Sequence, residues 1–311
     1  MNAEEILHIF PQAVRGRFRM AAEKAEGLQE IRFAVGRPVR VIMEEGEFFI
    51  RNTGKLTRII AEDCWILQEK EMAQFLDHVC SYSRYAYEED IRQGFLTVPG
   101  GHRIGIAGQV ILKEDGGIKN MKYISYANIR ISHEIPGAAG LLMPYLYEKG
   151  RILNTILIGP PLSGKTTVLR DMIRQLSYGG GAHRGRQVAV VDERSEIAGS
   201  YMGIPGNDLG LRTDILDSCP KSLGMLLLVR SMAPEVIAVD EIGGKRDADA
   251  ILEIIRCGCS VIATMHGSCM EEMKERGIPE TLFDCVVLLE RRGREGEPFS
   301  ILKRAGEGYD R

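Results

Sequence analysis

The sequence predicts an α/β protein: a parallel sheet covered by helices on both faces, preceded by a smaller α+β domain. Three observations predict it. From residue 155 onward, short apolar strands alternate with helical stretches, the pattern of a parallel sheet buried on both faces. Residues 159–167 read Gly-Pro-Pro-Leu-Ser-Gly-Lys-Thr-Thr and fit the phosphate-loop pattern G-x-x-x-x-G-K-[ST]. A breaker-rich stretch, His133-Glu134-Ile135-Pro136-Gly137-Ala138-Ala139-Gly140, separates this region from a mixed one before it. The expected organisation is an α+β domain at 1–135, a linker at 136–150 and the phosphate-loop domain at 151–311.

The elements follow in order. Residues 3–26 carry a helical stripe, Ile6, Leu7, Phe10, Val14, Phe18, Ala21 and Ala22, interrupted at Pro11. Such a stripe packs on its own domain or docks on a partner. Residues 30–50 read as strands, with turns at Gly36-Arg37-Pro38 and Glu44-Glu45-Gly46. Residues 68–87 read as a helix with Met72, Phe75, Leu76, Val79 and Cys80 on one face. Glycine-punctuated segments follow over 94–108, then a hairpin turn at Asp115-Gly116-Gly117 and a strand over 123–131. Beyond the linker the strands are 155–158, 187–191, 235–240, 260–264 and 285–290. The helices are roughly 165–177, 220–232, 247–256 and 268–276. The tail from Arg291 is polar, with an edge strand at 299–303.

At 311 residues and 44% hydrophobic content, the chain has material for about two cores. The net charge of −3 argues against a dedicated nucleic-acid binder, which carries a basic excess. The first residues are acidic and lack the apolar segment of a secretory signal. No apolar run approaches the ~18 residues of a membrane span, so any membrane contact is expected to be peripheral. The seven cysteines are scattered and odd in number, which suits a reducing compartment.

The phosphate loop sits between an apolar strand, Thr155-Ile156-Leu157-Ile158, and a helix with Val168, Leu169, Met172, Ile173 and Leu176 at helical spacing. Strand, glycine loop and helix together aim backbone N–H groups and a helix N-terminus at a phosphate. The candidate binding residues are Gly159, Pro160, Pro161, Leu162, Ser163, Gly164, Lys165, Thr166 and Thr167. Lys165 would reach the β- and γ-phosphates, and the Thr166 hydroxyl would hold Mg²⁺. Val236-Ile237-Ala238-Val239-Asp240-Glu241 is an apolar strand ending in two acids. There Asp240 would hold Mg²⁺ and Glu241 would polarise an attacking water. A second such strand ends in Asp192-Glu193-Arg194, and a third, Ile262-Ala263-Thr264-Met265-His266, ends in a histidine. On position alone, His266 is as readily a hydrogen-bonded turn histidine as a γ-phosphate contact.

The order of phosphate loop, Asp-Glu-Arg box (192–194), Asp240-Glu241 strand end and Thr264-Met265-His266 resembles the type II and type IV secretion and pilus motor ATPases. Over nearly the whole chain the sequence resembles the stage III sporulation protein AA family. That likeness takes in Gly94 to Gly108, Asp217 to Met225 and Val229 to Glu235. The resemblance implies a RecA-like domain, an assembly in homo-hexameric rings and ATP with Mg²⁺ as ligands. It further implies arginines of the N-terminal domain that reach the phosphates. Arg103 stands where the motors resemble one another, and Arg130 is the second candidate. Glu193 would support Glu241. The implied partner is a set of integral membrane proteins forming a channel between mother cell and forespore, with this chain on the cytoplasmic side. One departure stands out. The motors carry Gly-Glu closely followed by Arg-Asp, whereas here Asp240-Glu241 is followed by Ile-Gly-Gly-Lys-Arg246-Asp247, so Arg246 is left outside the catalytic set. Two other classes remain open: a RecA-like nucleic-acid motor and a nucleotide-gated scaffold that does not hydrolyse. A GTPase is disfavoured because no Asn/Thr-Lys-x-Asp motif occurs.

Overall fold

The structure, a computed structural model, describes residues 3–83, 87–181, 183–290, 299–305 and 308–310. Contacts divide the chain into two units. One is Met1–Glu134 with Gly199–Gly206; the other is Ile135–Ala198 with Asn207–Arg311.

In the first unit, the N-terminal stripe is carried by short helices α1 (Ala3–His8), α2 (Gln12–Arg15) and α3 (Arg19–Ala22). Pro11 supplies the break before α2, since it has no N–H to donate. Strands β1 (Leu28–Ala34), β2 (Arg40–Met43), β3 (Gly46–Ile50) and β4 (Leu56–Thr57) follow. Next come α4 (Glu69–Val79), α5 (Glu88–Gln93), β5 (Phe95–Val98), β6 (His102–Leu112) and β7 (Ile118–Arg130). The strands form one antiparallel sheet in the order β4-β3-β2-β1-β7-β6-β5. The expected helix over 68–87 is shorter in the structure. It ends at Val79, where Ser81 and Tyr82 turn into the left-handed region at φ 49° and 59° and cannot continue it. Residues 84–86 lie outside the described residues.

The core of this unit is aromatic. Phe10 stacks on Phe18 with centroids 3.7 Å apart, and Phe33, Trp65 and Phe75 close around them. Ile6, Phe10 and Phe18 are fully buried there. The N-terminal stripe therefore packs on its own unit and is not a docking face.

The second unit opens with a small hairpin, β8 (Tyr147–Glu148) and β9 (Arg151–Ile152). The phosphate-loop strand β10 (Thr155–Gly159) and helix α6 (Lys165–Tyr178) come next, then the short pair β11 (Gly179–Gly180) and β12 (His183–Arg184). The remainder is β13 (Val188–Asp192), β14 (Thr213–Asp217), α7 (Lys221–Met232), β15 (Val236–Val239) and α8 (Lys245–Arg256). The unit closes with β16 (Ser260–His266), α9 (Glu271–Glu275), β17 (Cys285–Leu289), β18 (Phe299–Ala305) and β19 (Gly308–Asp310). Among the described residues the sheet order is β14-β13-β15-β16-β10-β17-β18-β19. It is parallel from β14 to β17, with β18 and β19 antiparallel at one edge.

The parallel strands read as continuous apolar runs because both faces are covered; β10, β13 and β15 are buried at every position. Two apolar layers result. Ile156, Ile158, Val191, Ile237 and Val239 pack with α7 and α8 on one side. Leu157, Val190, Ala238 and Ile262 pack with Leu169, Met172 and Ile173 of α6 on the other. The register brings the strand ends level: Gly159 lies beside His266, and Val191 beside Val239. Polar residues that follow these strands therefore gather at one edge of the sheet, where open α/β sheets place their ligand sites.

Candidate functional site

The loop after β10 is shaped by close approach and by backbone sign. A Cβ on Gly159 would come within 2.5 Å of Ser163 Oγ and 3.1 Å of Leu289 Cβ, so the strand can end there only as glycine. Gly164 takes φ 89° and starts α6, a conformation that glycine enters without a Cβ penalty. Leu162 is left-handed at φ 65° and 90% exposed at the tip.

Lys165, the first residue of α6, folds back beneath the loop and is 5% exposed. Its Nζ donates to Gly159 O and Pro160 O, each at 2.9 Å, and to His266 Nδ1 at 3.1 Å. Burial pushes its ammonium below the usual lysine range, while Asp240 and Glu241 pull the other way. The Thr166 hydroxyl donates to Asp240 Oδ2 at 2.8 Å.

The acid pair is held by the next strand. Thr264 on β16 is fully buried. Its hydroxyl bonds Asp240 Oδ1 and accepts the Glu241 N–H at 2.8 Å. Glu241 sits at φ 53°, a left-handed turn that a non-glycine residue adopts only where its surroundings enforce it. Its carboxylate accepts from His266 Nε2 at 2.6 Å and from Arg194 at 3.1 Å.

Of the residues expected from sequence, the structure brings Lys165, Thr166, Asp240, Glu241 and His266 into one hydrogen-bonded network. Glu193 is placed differently: its carboxylate pairs with Lys221 on α7. Its neighbour Asp192 is 2% exposed and works as a loop tie. It accepts the N–H groups of Glu196 (2.8 Å), Ile197 (3.0 Å) and Ala198 (2.8 Å). Burial raises its carboxyl to about 6, against the pull of those N–H groups. Two residues of the network escaped the sequence reading in these roles. Thr264 was visible only as the first letter of the Thr264-Met265-His266 strand end. Arg194 was visible only as the third letter of the box.

Arg103 and Arg130 belong to the first unit, where they are direct cross-strand partners on β6 and β7. Like charges so placed repel, and each has a local counterweight. The Arg103 guanidinium lies 3.7 Å from the Phe95 ring centroid, and Arg130 Nε lies 3.6 Å from Glu30 Oε1.

The donor set fits a nucleotide phosphate with a hard cation. The Ser163 hydroxyl is buried inside the loop and has no partner among the described residues. The first-turn N–H groups of α6 have no acceptor within the helix and adjoin the buried ammonium. Thr166 and Asp240 present a hydroxyl and a carboxylate side by side, the oxygen ligands that Mg²⁺ takes alongside phosphate oxygens and water. Among the described residues there is no cluster of three or more His, Cys, Asp or Glu suited to a metal. No helix among them is long and apolar enough to cross a membrane.

Comparison with known proteins agrees with this geometry. The family model described as "Sporulation stage III, protein AA" matches residues 1–308. Stage III sporulation protein AA of Bacillus subtilis (strain 168) is 37% identical over 313 residues, 99% of this chain and 97% of that protein. Among solved structures, the pilus retraction motor PilT with bound ADP superposes with a TM-score of 0.60 at 15% identity, over 92% of this chain and 81% of that one. The Legionella pneumophila ATPase DotB gives 0.53 at 17% identity, over 92% and 78%. At those identities the likeness is one of fold: a RecA-like α/β domain preceded by a domain built on an antiparallel sheet.

Proposed function

The chain belongs to the sporulation stage III protein AA family, and from that premise we propose that it is an ATP-hydrolysing motor of the secretion-ATPase type. It would act as a homo-hexamer on the cytoplasmic side of the mother-cell membrane. Its work is to energise or assemble a channel of integral membrane proteins between mother cell and forespore. The carrying observation is the convergence of Lys165, Thr166, Asp240, Glu241 and His266 on one phosphate loop. ATP with Mg²⁺, when bound, supplies the scissile phosphoanhydride and charge neutralisation across the β- and γ-phosphates.

The residues divide the remaining tasks. Loop N–H groups and Lys165 hold the phosphates, Lys165 exchanging its present partners for phosphate oxygens. Thr166 and Asp240 would hold the cation with their hydroxyl and carboxylate oxygens. Glu241 aligns a water with the γ-phosphate and takes its proton, a role worth about 10²–10⁴ in rate. His266 lies between Lys165 and Glu241 and registers which of them is engaged. Glu193 is assigned a supporting charge. Arg103 and Arg130 are assigned the stabilisation of charge that develops on the transferred phosphoryl group, as the resemblance implies.

The test is steady-state ATP hydrolysis by the full chain against protein concentration, with Lys165→Ala and Glu241→Gln alongside. The motor reading expects turnover that rises cooperatively with concentration and vanishes in both variants, while Glu241→Gln still binds ATP. A second reading is a nucleotide-gated scaffold of the same channel. It is favoured by the Glu241 carboxylate being engaged on both oxygens, by His266 and by Arg194. Nucleotide binding without turnover at any concentration would select it.

A further inference from the structure

We propose that Arg194 is a positioning residue: it holds Glu241 on His266 and, through His266, holds Lys165, so that a phosphate entering the loop must open a four-residue latch. The inference rests on the nucleotide reading of the loop and concerns how that site is regulated.

Proton bookkeeping determines the direction of every bond in the chain. Lys165 is a three-donor group with no acceptor, and its three partners are Gly159 O, Pro160 O and His266 Nδ1. Nδ1 must therefore accept, which leaves the imidazole proton on Nε2, facing Glu241 Oε1 at 2.6 Å. A doubly protonated ring would turn a donor toward an ammonium. The ring therefore presents Nδ1 to Lys165 as acceptor and Nε2–H to the Glu241 carboxylate as donor. Arg194 completes the set at Glu241 Oε2, 3.1 Å away. Each member is placed by its neighbour, and Arg194 is the far end.

The far end is anchored. Arg194 stands inside the 192–198 loop, whose closing bonds run from Glu196, Ile197 and Ala198 to the buried Asp192 carboxylate. The Ser195 hydroxyl also bonds Asp217, at 2.7 Å. The Arg194 side chain itself is 60% exposed, so its substitution leaves that frame in place. The near end is the group a phosphate attracts. When Lys165 turns to a phosphate oxygen, Nδ1 loses its donor, the ring is free to change tautomer, and Glu241 is released to meet water. Arg194 opposes that release.

The test uses the full chain carrying ¹⁵N-labelled histidine, with His266 assigned by its loss in His266→Gln. Wild type, Arg194→Ala, Arg194→Lys and Lys165→Ala are titrated with a non-hydrolysable ATP analogue and Mg²⁺. Affinity and the His266 nitrogen signals are read together. Arg194→Ala is expected to bind the analogue about two- to fivefold more tightly, the span of a half-exposed ion pair. Its His266 signals before titration should move toward those of analogue-bound wild type, and Arg194→Lys should restore both. Unchanged affinity, weaker affinity or unmoved His266 signals would each overturn the latch. Equal binding by wild type and Lys165→Ala, or none by wild type, would instead remove the nucleotide reading and the latch with it.

Discussion

Asp192→Asn separates a loop tie from an ordinary surface acid. The wild-type carboxylate is buried and spans three backbone donors, Glu196 on Oδ1 and Ile197 and Ala198 on Oδ2. An amide keeps an oxygen for two of them and turns its NH₂ toward the third. The informative quantity is how the comparison changes with pH. Burial first, against the N–H bonds, raises the carboxyl from 3.8 to about 6. The folded chain therefore holds a proton there at a pH where the unfolded chain has released it. Wild type gains stability as pH falls through about 6, and the asparagine variant cannot. Between about pH 7.5 and 4.5 linkage gives wild type a relative gain of about 2 kcal/mol. His102 acts in the opposite sense. Burial, then the charge of His133, lowers it from 6.5 to about 4, so its contribution is present above 6.5 and lost as pH falls toward 4. Both proteins carry His102, and its effect cancels in the difference. Urea unfolding followed by circular dichroism at the two pH values measures that difference. A gap that stays constant, or narrows as pH falls, would refute the assignment of Asp192 as a desolvated tie.

Thr264→Val keeps the shape of the side chain but removes the hydroxyl that holds Asp240 and the Glu241 N–H. It should lower the thermal stability of the second unit by about 2 kcal/mol and lower ATP turnover. Arg103→Ala should reduce turnover more than nucleotide affinity, and Arg130→Ala should do so less; an unchanged rate in both would take the first unit out of the chemistry. Asp171→Ala should cost about 2–4 kcal/mol in a denaturant titration. Its buried carboxylate accepts from Ala139 N at 2.8 Å and from Arg174 and Gln175. Burial opposes its ionisation, yet those bonds hold it below the usual aspartate range. Wild type should consequently lose this tie only in strong acid, whereas the alanine variant lacks it at every pH.

The second unit was the more legible of the two. Its strands are apolar throughout, and its phosphate loop marks where one strand stops and a helix starts. Apolar patterning does not predict the edge strand β14, Thr213–Asp217, because acids at Asp214 and Asp217 break the run and every position is only half-buried. Apolar spacing continues to Cys80 and predicts a longer helix over 68–87 than forms, while the break lies in backbone dihedrals at Ser81 and Tyr82 that spacing does not encode. Glu193 is expected to support Glu241 because both follow apolar strands that end in acids. In the structure it stands in the turn just past the end of β13, and its carboxylate pairs with Lys221.

From residue order alone, Lys165 and Thr166 lie at a helix start, and Asp240, Glu241 and His266 follow apolar strands. Those facts rest on local pattern and on the phosphate-loop spacing. Which acid meets which base depends on the folded arrangement of the strands. Strands far apart in sequence become neighbours in a parallel sheet, and their register alone puts Gly159 beside His266 and Val191 beside Val239. The Thr264 hydroxyl, the left-handed turn at Glu241 and the reach of Arg194 are consequences of that register. Hydrogen bonds of about 3 Å between such groups depend on three-dimensional placement, which no sequence spacing specifies.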